Sequence, residues 1–597
     1  MAGCSVSTKV PARDRAPLSW LKRLRLMLFG HDELVSIVFW ATLVGIAGAL
    51  ASVVFRLGIR LCVRLFSGYW PYSEHGSGLV DVAMKLPWWH RAVMPVAGGL
   101  LAGAVLLFVK RRLVSSKAVD YIEAVKVGDG RIGFRGSILK SLGSMLTISS
   151  GGSIGREGSM VQLAAMLGSR IGLLAHAPVP RLRLMVACGV AAGIAAAYNA
   201  PISGALFASE IVLGSMSMES FGPLVIASVI SNATLHRVVH FGKVFDVPHV
   251  VVVTNWELIF FVILGVVLGH LAPPFLALLD YAKSRFIRLK LPLYAQLALG
   301  GLAVGIISLF VPEVWGNGYS VVSHILLGQV FGWWLLAILL AKVLATTFTV
   351  GSGGVGGVLT PSLFIGAAVG TLFGGALQWM MPHIVYQPVA YGVIGMGGFL
   401  AATTQAPLTS ILMIFEMTLD YNVVLPLMLV CVTAHYTAKV YRHGKSVYDA
   451  TLDPTMLAEH GDDWRVRTVA GLVKPAVVVV PRETPLSEVF GRLPKRSVRR
   501  VYVTDGGDLV AWFRPRELLE RLRKGEIGWE VAVGDIAQPV NQALSPDMSL
   551  TEALDGFLRE KARTLPVTPG QWRHTLLGEV SRDDVLLAIR DRLSVTK

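Results

Sequence analysis

The chain has 597 residues, 53% of them hydrophobic and only 16% charged, with a formal net charge of +16 and a mean hydropathy of +0.59. Soluble domains carry about 25% charged residues, so a single water-soluble body is excluded. Residues 1–450 hold 51 charged residues, about one in nine, whereas 451–597 hold 43, nearly one in three. This pattern describes a lipid-embedded body followed by a smaller soluble tail. The positive excess lies almost wholly in the first body, where it reflects topology and not nucleic-acid binding.

In chain order, residues 1–32 form an amphipathic segment with Lys9, Arg13, Arg15, Lys22, Arg23 and Arg25 against Asp14. The apolar stretch after it is too long for a cleavable signal, so the start is expected in the cytoplasm. A membrane domain is expected over 33–450, with two halves at about 33–240 and 253–442. Apolar runs lie near 35–65, 90–109, 138–149, 160–175, 184–198, 200–214 and 221–239, and again near 255–282, 294–311, 331–349, 361–381, 388–403, 406–418 and 423–438. Several are too short to cross about 30 Å of hydrocarbon at 1.5 Å per residue. Gly and Pro interrupt many, and such irregular backbone survives at membrane depth only inside protein or beside a polar cavity. Basic clusters at 1–30, Lys110–Lys117, Lys283–Lys290 and Lys439–Lys445 predict a multi-pass chain with both ends cytoplasmic. The cysteines Cys4, Cys62, Cys188 and Cys431 suggest no disulfide framework.

The two halves repeat. Gly189–Leu206 followed by Glu210 parallels Gly395–Leu412 followed by Glu416 at an offset of 206, and both contain an Ala-Pro pair. Ser150-Gly151-Gly152 with Gly155 parallels Ser352-Gly353-Gly354 with Gly357 at an offset of 202. Homologous halves with broken helices point to an inverted-repeat transporter whose site lies between the repeats. Each Gly-rich loop precedes an apolar run. Backbone N–H groups at a helix start favour an anion by about 0.3–1 kcal/mol each, and glycine admits close approach. A stripe of Gly366, Gly370 and Gly374 serves helix packing instead. Glu157 stands out, because a carboxylate in a membrane loop is costly and functional by default. Ionised, it occupies the anion site; protonated, it vacates it. The bland alternative is an ion pair with Arg156. Glu210 and Glu416 read best as interhelical hydrogen-bond partners.

Gly155-Arg-Glu-Gly158, Gly356-Gly-Val-Leu-Thr-Pro361, Asn199-Ala-Pro201 and Gln405-Ala-Pro407 together resemble the CLC chloride channels and transporters, over about 35–450. Trp315-Gly-Asn-Gly-Tyr-Ser320 and Leu363-Phe-Ile-Gly366 resemble the bacterial ClcB-type branch. The resemblance implies an all-α polytopic fold of inverted repeats with broken helices. It implies a homodimer in the bacterial inner (plasma) membrane, with one pathway per subunit for chloride and similar anions and no required cofactor. It puts the gate on Glu157 and the inner anion-coordinating hydroxyl on Tyr448. Anion-binding backbone falls on Val358 and Leu359, beside Gly155, Arg156 and Gly158. Leu359 stands where the family usually has Phe. The family's Gly-Ser-Gly-Ile-Pro loop is replaced by Ser115-Ser-Lys-Ala-Val119, leaving Ser116 as its coordinating serine. Lys117 there either attracts anions or snorkels to the interface.

The second departure is Ile211, which stands where coupled members carry a proton-feeding glutamate. Glu219 or a water wire are its candidate substitutes. Transport is therefore expected to be passive or weakly proton-coupled, gated by protonation of Glu157. A stoichiometric Cl−/H+ antiporter is the alternative, and a nucleotide-sensing membrane receptor a more remote one. No HExxH or clustered His/Asp set points to an enzyme or a metal site.

After a linker at 451–464, residues 465–597 alternate strand-like and helix-like segments. Val477–Val480 is a β run, and Val501-Tyr-Val-Thr-Asp-Gly-Gly-Asp-Leu509 reads as a hairpin. Val480–Glu488 is echoed by Ser545–Glu552. The tail resembles an α/β pair of CBS domains, which implies an adenine nucleotide at Ser581 and Asp584. Arg514 and Glu517 stand where the first unit needs Ser/Thr and Asp. A purely structural tail is the competing reading. Lys495–Arg500 reads as a solvated face or a contact to lipid head groups.

Overall fold

A computed structural model describes residues 33–69, 78–112, 120–238 without 127, 245, 256–442 without 384 and 386, 446–448, and 468–586 without 476–477, 494–497, 499, 541, 561 and 570–574. The chain divides into two compact units, Met1–Leu452 and Asp453–Lys597.

The first unit is helical. Its first half runs α1 (Glu33–Ser67), α2 (Gly78–Lys85), α3 (Trp88–Arg112), α4 (Tyr121–Lys126), α5 (Phe134–Ser149), α6 (Glu157–Leu174), α7 (Val179–Tyr198), α8 (Pro201–Phe207, continued by a π-turn at Ala208–Leu213) and α9 (Met218–Val238). The second half runs α10 (Glu257–Arg288), α11 (Leu293–Phe310), α12 (Tyr319–Leu326), α13 (Gly332–Gly351), α14 (Leu359–Met380), α15 (Pro388–Thr404), α16 (Pro407–Thr418) and α17 (Val424–Arg442). Among the described residues, eight helices are long and apolar enough to cross a membrane. Pro201–Leu213, Pro388–Thr404 and Pro407–Thr418 are shorter apolar helices.

Local chemistry sets the breaks. α7 ends where Asn199 turns left-handed at φ 55°, and α15 ends the same way at Gln405, φ 58°. The Ala-Pro pairs then start α8 and α16, with Pro at the first helical position, where its missing N–H costs nothing. Each new helix start exposes unpaired N–H groups. Glu416 of the second half accepts from Ile202 and Ser203 N–H at 2.8 and 2.7 Å and from the Ser203 hydroxyl at 2.5 Å. Glu210 of the first half accepts from Thr409 N–H at 2.9 Å, the Thr409 hydroxyl at 2.6 Å and Leu408 N–H at 3.4 Å. Each repeat thus caps the broken helix of the other.

Small residues let helices close on one another. A Cβ on Gly370 would overlap the Tyr391 carbonyl, and one on Gly374 would lie 2.6 Å from the Pro388 carbonyl, so the glycine stripe of α14 is where α15 packs. Cys188 and Cys431 are buried free thiols, and Cys62 is a half-buried one.

The tail holds a four-stranded sheet ordered β1 (Val479–Pro481), β2 (Val501–Asp505), β3 (Asp508–Phe513), β4 (Gln538–Pro539), and a pair of β5 (Thr564–Val567) and β6 (Gly578–Ser581). β1 pairs parallel with β2 across α18 (Leu486–Arg492), and β2 turns back into β3 through Gly506 and Gly507, at φ 57° and 97°. That turn is the hairpin the Asp-Gly-Gly-Asp run predicts. α19 (Pro515–Arg523) follows β3, and α20 (Leu550–Arg559) precedes β5. Two separate apolar clusters form, one around Val480, Leu486 and Val503, the other around Leu550, Phe557 and Val580.

Candidate functional site

The two Gly-rich loops meet. Gly155 and Gly357 form an antiparallel bridge, each N–H donating to the other's carbonyl at 2.8 Å. Ser153 adds a 3.1 Å bond from its N–H to the Thr349 hydroxyl and pairs with the Thr346 hydroxyl at 3.1 Å. This contact sets the starts of α6 and α14 side by side. Gly158 completes it, since a Cβ there would lie 3.0 Å from Gly357 N.

Glu157 opens α6 and is 1% exposed. Its Oε1 accepts from Thr360 N–H, in the first turn of α14, at 2.8 Å. Its Oε2 is buried and has no hydrogen-bond partner among the described residues. The carboxylate therefore sits on the positive end of a helix dipole contributed by the other repeat. Pro361 carries no N–H, so the donors available at this helix start are Val358, Leu359 and Thr360. Glycine makes the seat possible: a Cβ on Gly155 would overlap the Glu157 carboxylate, and one on Gly357 would lie 2.9 Å from its Cγ. Arg156 does not pair with Glu157 among the described residues; its guanidinium lies 5.5 Å from the centre of the Tyr319 ring.

Glu157, Gly158, Val358, Leu359 and Tyr448 line one cavity of about 160 Å3. Tyr448 packs edge-on to Phe207 at 5.7 Å. The remaining wall includes Asp120, Tyr121, Lys140, Ser141 and Gln162, which sequence reasoning did not single out. It also missed Thr360, one residue beyond the pair it named, and Tyr198, whose hydroxyl lies 3.4 Å from that of Thr360. Counting N–H groups up to the helix proline would have reached Thr360. Nothing local marks Asp120, Lys140 or Gln162.

Gly155 and Arg156 hold the loop and do not line the cavity. Ser116 and Lys117 lie outside the described residues. Ile211 is 6% exposed within the main apolar cluster. Glu219 is exposed in the first turn of α9 and is not among the cavity residues.

In the tail, Asp584 forms a 2.8 Å ion pair with Lys474, and the Ser581 hydroxyl accepts from Asp583 N–H at 3.2 Å. Arg514 and Glu517 pair with each other. Among the described residues, no group of His, Cys, Asp and Glu could hold a metal ion.

Residues 97–439 match the voltage gated chloride channel family, and residues 469–524 and 533–591 match the CBS domain. The chain is 48% identical over 402 residues to a ClcB-like chloride channel protein of Ralstonia nicotianae, covering 67% of this chain and 92% of that one. The protein belongs to the CLC family. It is also 39% identical to the voltage-gated ClC-type chloride channel ClcB of Escherichia coli O9:H4, over 68% of this chain and 96% of that one. The fold matches the crystal structure of a slow cyanobacterial Cl−/H+ antiporter with a TM-score of 0.62 at 24% identity, covering 70% of this chain and 98% of that one. This CLC chain is a multi-pass membrane protein of the anion-transporting family, not an enzyme, and carries a CBS pair at its C-terminus.

Proposed function

We propose that the protein carries chloride and similar anions through one pathway per subunit, gated by protonation of Glu157, with proton coupling weak at most. The observation that carries this reading is the seat of the Glu157 carboxylate on Thr360 N–H at the start of α14. A bare anion in hydrocarbon is very costly, and a helix N-terminus offsets that cost for a side-chain carboxylate or a chloride alike. Protonation removes the charge that holds Glu157 there and opens the seat. Val358 and Leu359 then offer backbone N–H groups and Tyr448 a hydroxyl, while Gly155, Arg156 and Gly158 maintain the loop. The family resemblance makes Ser116, which lies outside the described residues, the expected coordinating serine. Ile211 can donate no proton, which favours passive or weakly coupled flow over fixed-ratio exchange.

Assembly as a homodimer in the bacterial inner membrane, with both termini cytoplasmic, accords with the basic clusters and with large apolar side chains exposed on α8, α16 and α17, among them Ile202, Leu408 and Leu425. In the tail, an adenine nucleotide at Ser581 and Asp584 must replace the Lys474 ion pair.

Reconstituted into liposomes, the protein is expected to pass chloride down its gradient while driving protons uphill only weakly. Robust uphill proton pumping at a fixed ratio would contradict weak coupling.

A further inference from the structure

The cavity that Glu157 closes has a second carboxylate in its wall. We propose that Asp120 is the inner proton-relay residue of this pathway, taking the place that Ile211 leaves empty. The inference rests on the reading of Glu157 as a protonation gate.

Asp120 immediately precedes α4 and lines the same cavity as Glu157, Val358 and Tyr448. A buried water needs at least about 10–15 Å3 and two to four polar partners. About 160 Å3 bounded by Asp120, Lys140, Ser141, Gln162 and Tyr448 meets both conditions for a short water chain. Ile211 packs in the apolar core instead, and Glu219 is exposed outside the cavity.

The charged and titratable neighbours suit a relay. Burial favours the neutral acid of Asp120 and raises its pKa, against smaller opposing effects of Lys140 of α5 in the same wall and of the Tyr121 N–H, so Asp120 can hold the proton that it passes on. Tyr121 of α4, Glu157 of α6 and Tyr448 complete the titratable groups of the lining. From the helices packed behind, α7 brings Arg183, which donates to the Gly128 carbonyl at 2.9 Å, and the π-turn brings Glu210, which is engaged by Thr409.

The step balances simply. An Asp120 carboxylic O–H breaks, its proton passes along the waters, and a Glu157 carboxylate oxygen takes it. Asp120 is left ionised and is reprotonated from the cytoplasmic side. Glu157, now neutral, leaves the α14 N-terminus and chloride enters.

The competing role for Asp120 is structural, because its Oδ1 accepts from Tyr121 N–H at 2.7 Å. Asparagine caps a helix start as well as aspartate does, so Asp120→Asn keeps that role and removes only the titration. The experiment records chloride and proton movement together in proteoliposomes holding the full-length protein. Asp120→Asn is expected to lower the number of protons moved per chloride at least tenfold. Asp120→Glu should restore it, and Ile211→Glu should restore it in the Asp120→Asn background. A proton-to-chloride ratio unchanged in Asp120→Asn overturns the relay. So does a wild-type protein that passes chloride and moves no protons uphill, although that result leaves the anion pathway standing. Wild-type liposomes without chloride flux would instead overturn the transport reading itself.

Discussion

At the scale of single residues, Glu157 is held by geometry that its neighbours supply. Glycine at 155 and 357 leaves room for the carboxylate, and Thr360 supplies the N–H. Adding one methyl group at Gly357 would press on the Glu157 side chain, which is flexible and yields before the backbone does. Gly357→Ala is therefore expected to displace the carboxylate and to flatten the pH response of chloride flux, read in liposomes at several pH values; a wild-type response would show that the seat does not govern the gate. Glu157 stood out in the sequence as a charge in a Gly-rich membrane loop, whereas Tyr448 came only with the family resemblance; both line the cavity. Asp120, Lys140 and Gln162 were not, since only the folding of α4 and α5 against α6 brings them to the cavity. Glu219 shows the converse: nearness in sequence to Ile211 did not carry it to the site.

At the scale of elements, the apolar runs coincide with the long and the broken helices of both halves, because length, Gly-Pro breaks and lipid burial are all written locally. The short helices α2, α4 and α12 were not foreseen; at six to eight residues they carry too little periodicity to be recognised. Their stability comes from packing. The reciprocal caps give a direct test. Glu416→Ala strips the exposed Ile202 and the buried Ser203 of their acceptor, and an unsatisfied buried donor such as Ser203 costs about 1–3 kcal/mol. A lower Tm of the detergent-solubilised protein is expected, with a similar drop for Glu210→Ala. No change in either would mean that water replaces the carboxylates. In the tail, Ser549 and Glu552 form a capping box at the start of α20: Ser549 N–H and hydroxyl donate to Glu552 at 3.0 and 2.8 Å. Ser549→Ala should cost the tail about 1 kcal/mol in urea unfolding. These bonds hold the Glu552 carboxyl below its ordinary value. A depressed acid stabilises the fold above its unfolded pKa and loses that contribution as pH falls through the folded one. The difference between wild type and Ser549→Ala should accordingly shrink as pH drops below the usual glutamate range.

At the scale of the whole molecule, the charge step near residue 450 foreshadowed two bodies, and the chain forms two compact units. Every residue assigned to the pathway precedes Asp449, so a chain lacking 465–597 should still conduct chloride in liposomes; loss of flux with retained folding would place part of the pathway's machinery in the tail. Any effect of adenine nucleotides on the full-length protein should vanish in Asp584→Ala, and the absence of a thermal shift with adenine nucleotides would favour a structural tail. The most direct test of the account compares chloride efflux from proteoliposomes of the wild type and of Glu157→Gln at a series of pH values from neutral down to about pH 4. The wild type should conduct more as pH falls, and Glu157→Gln should conduct at every pH with little slope. A Glu157→Gln protein that retains the wild-type pH profile would contradict the gate.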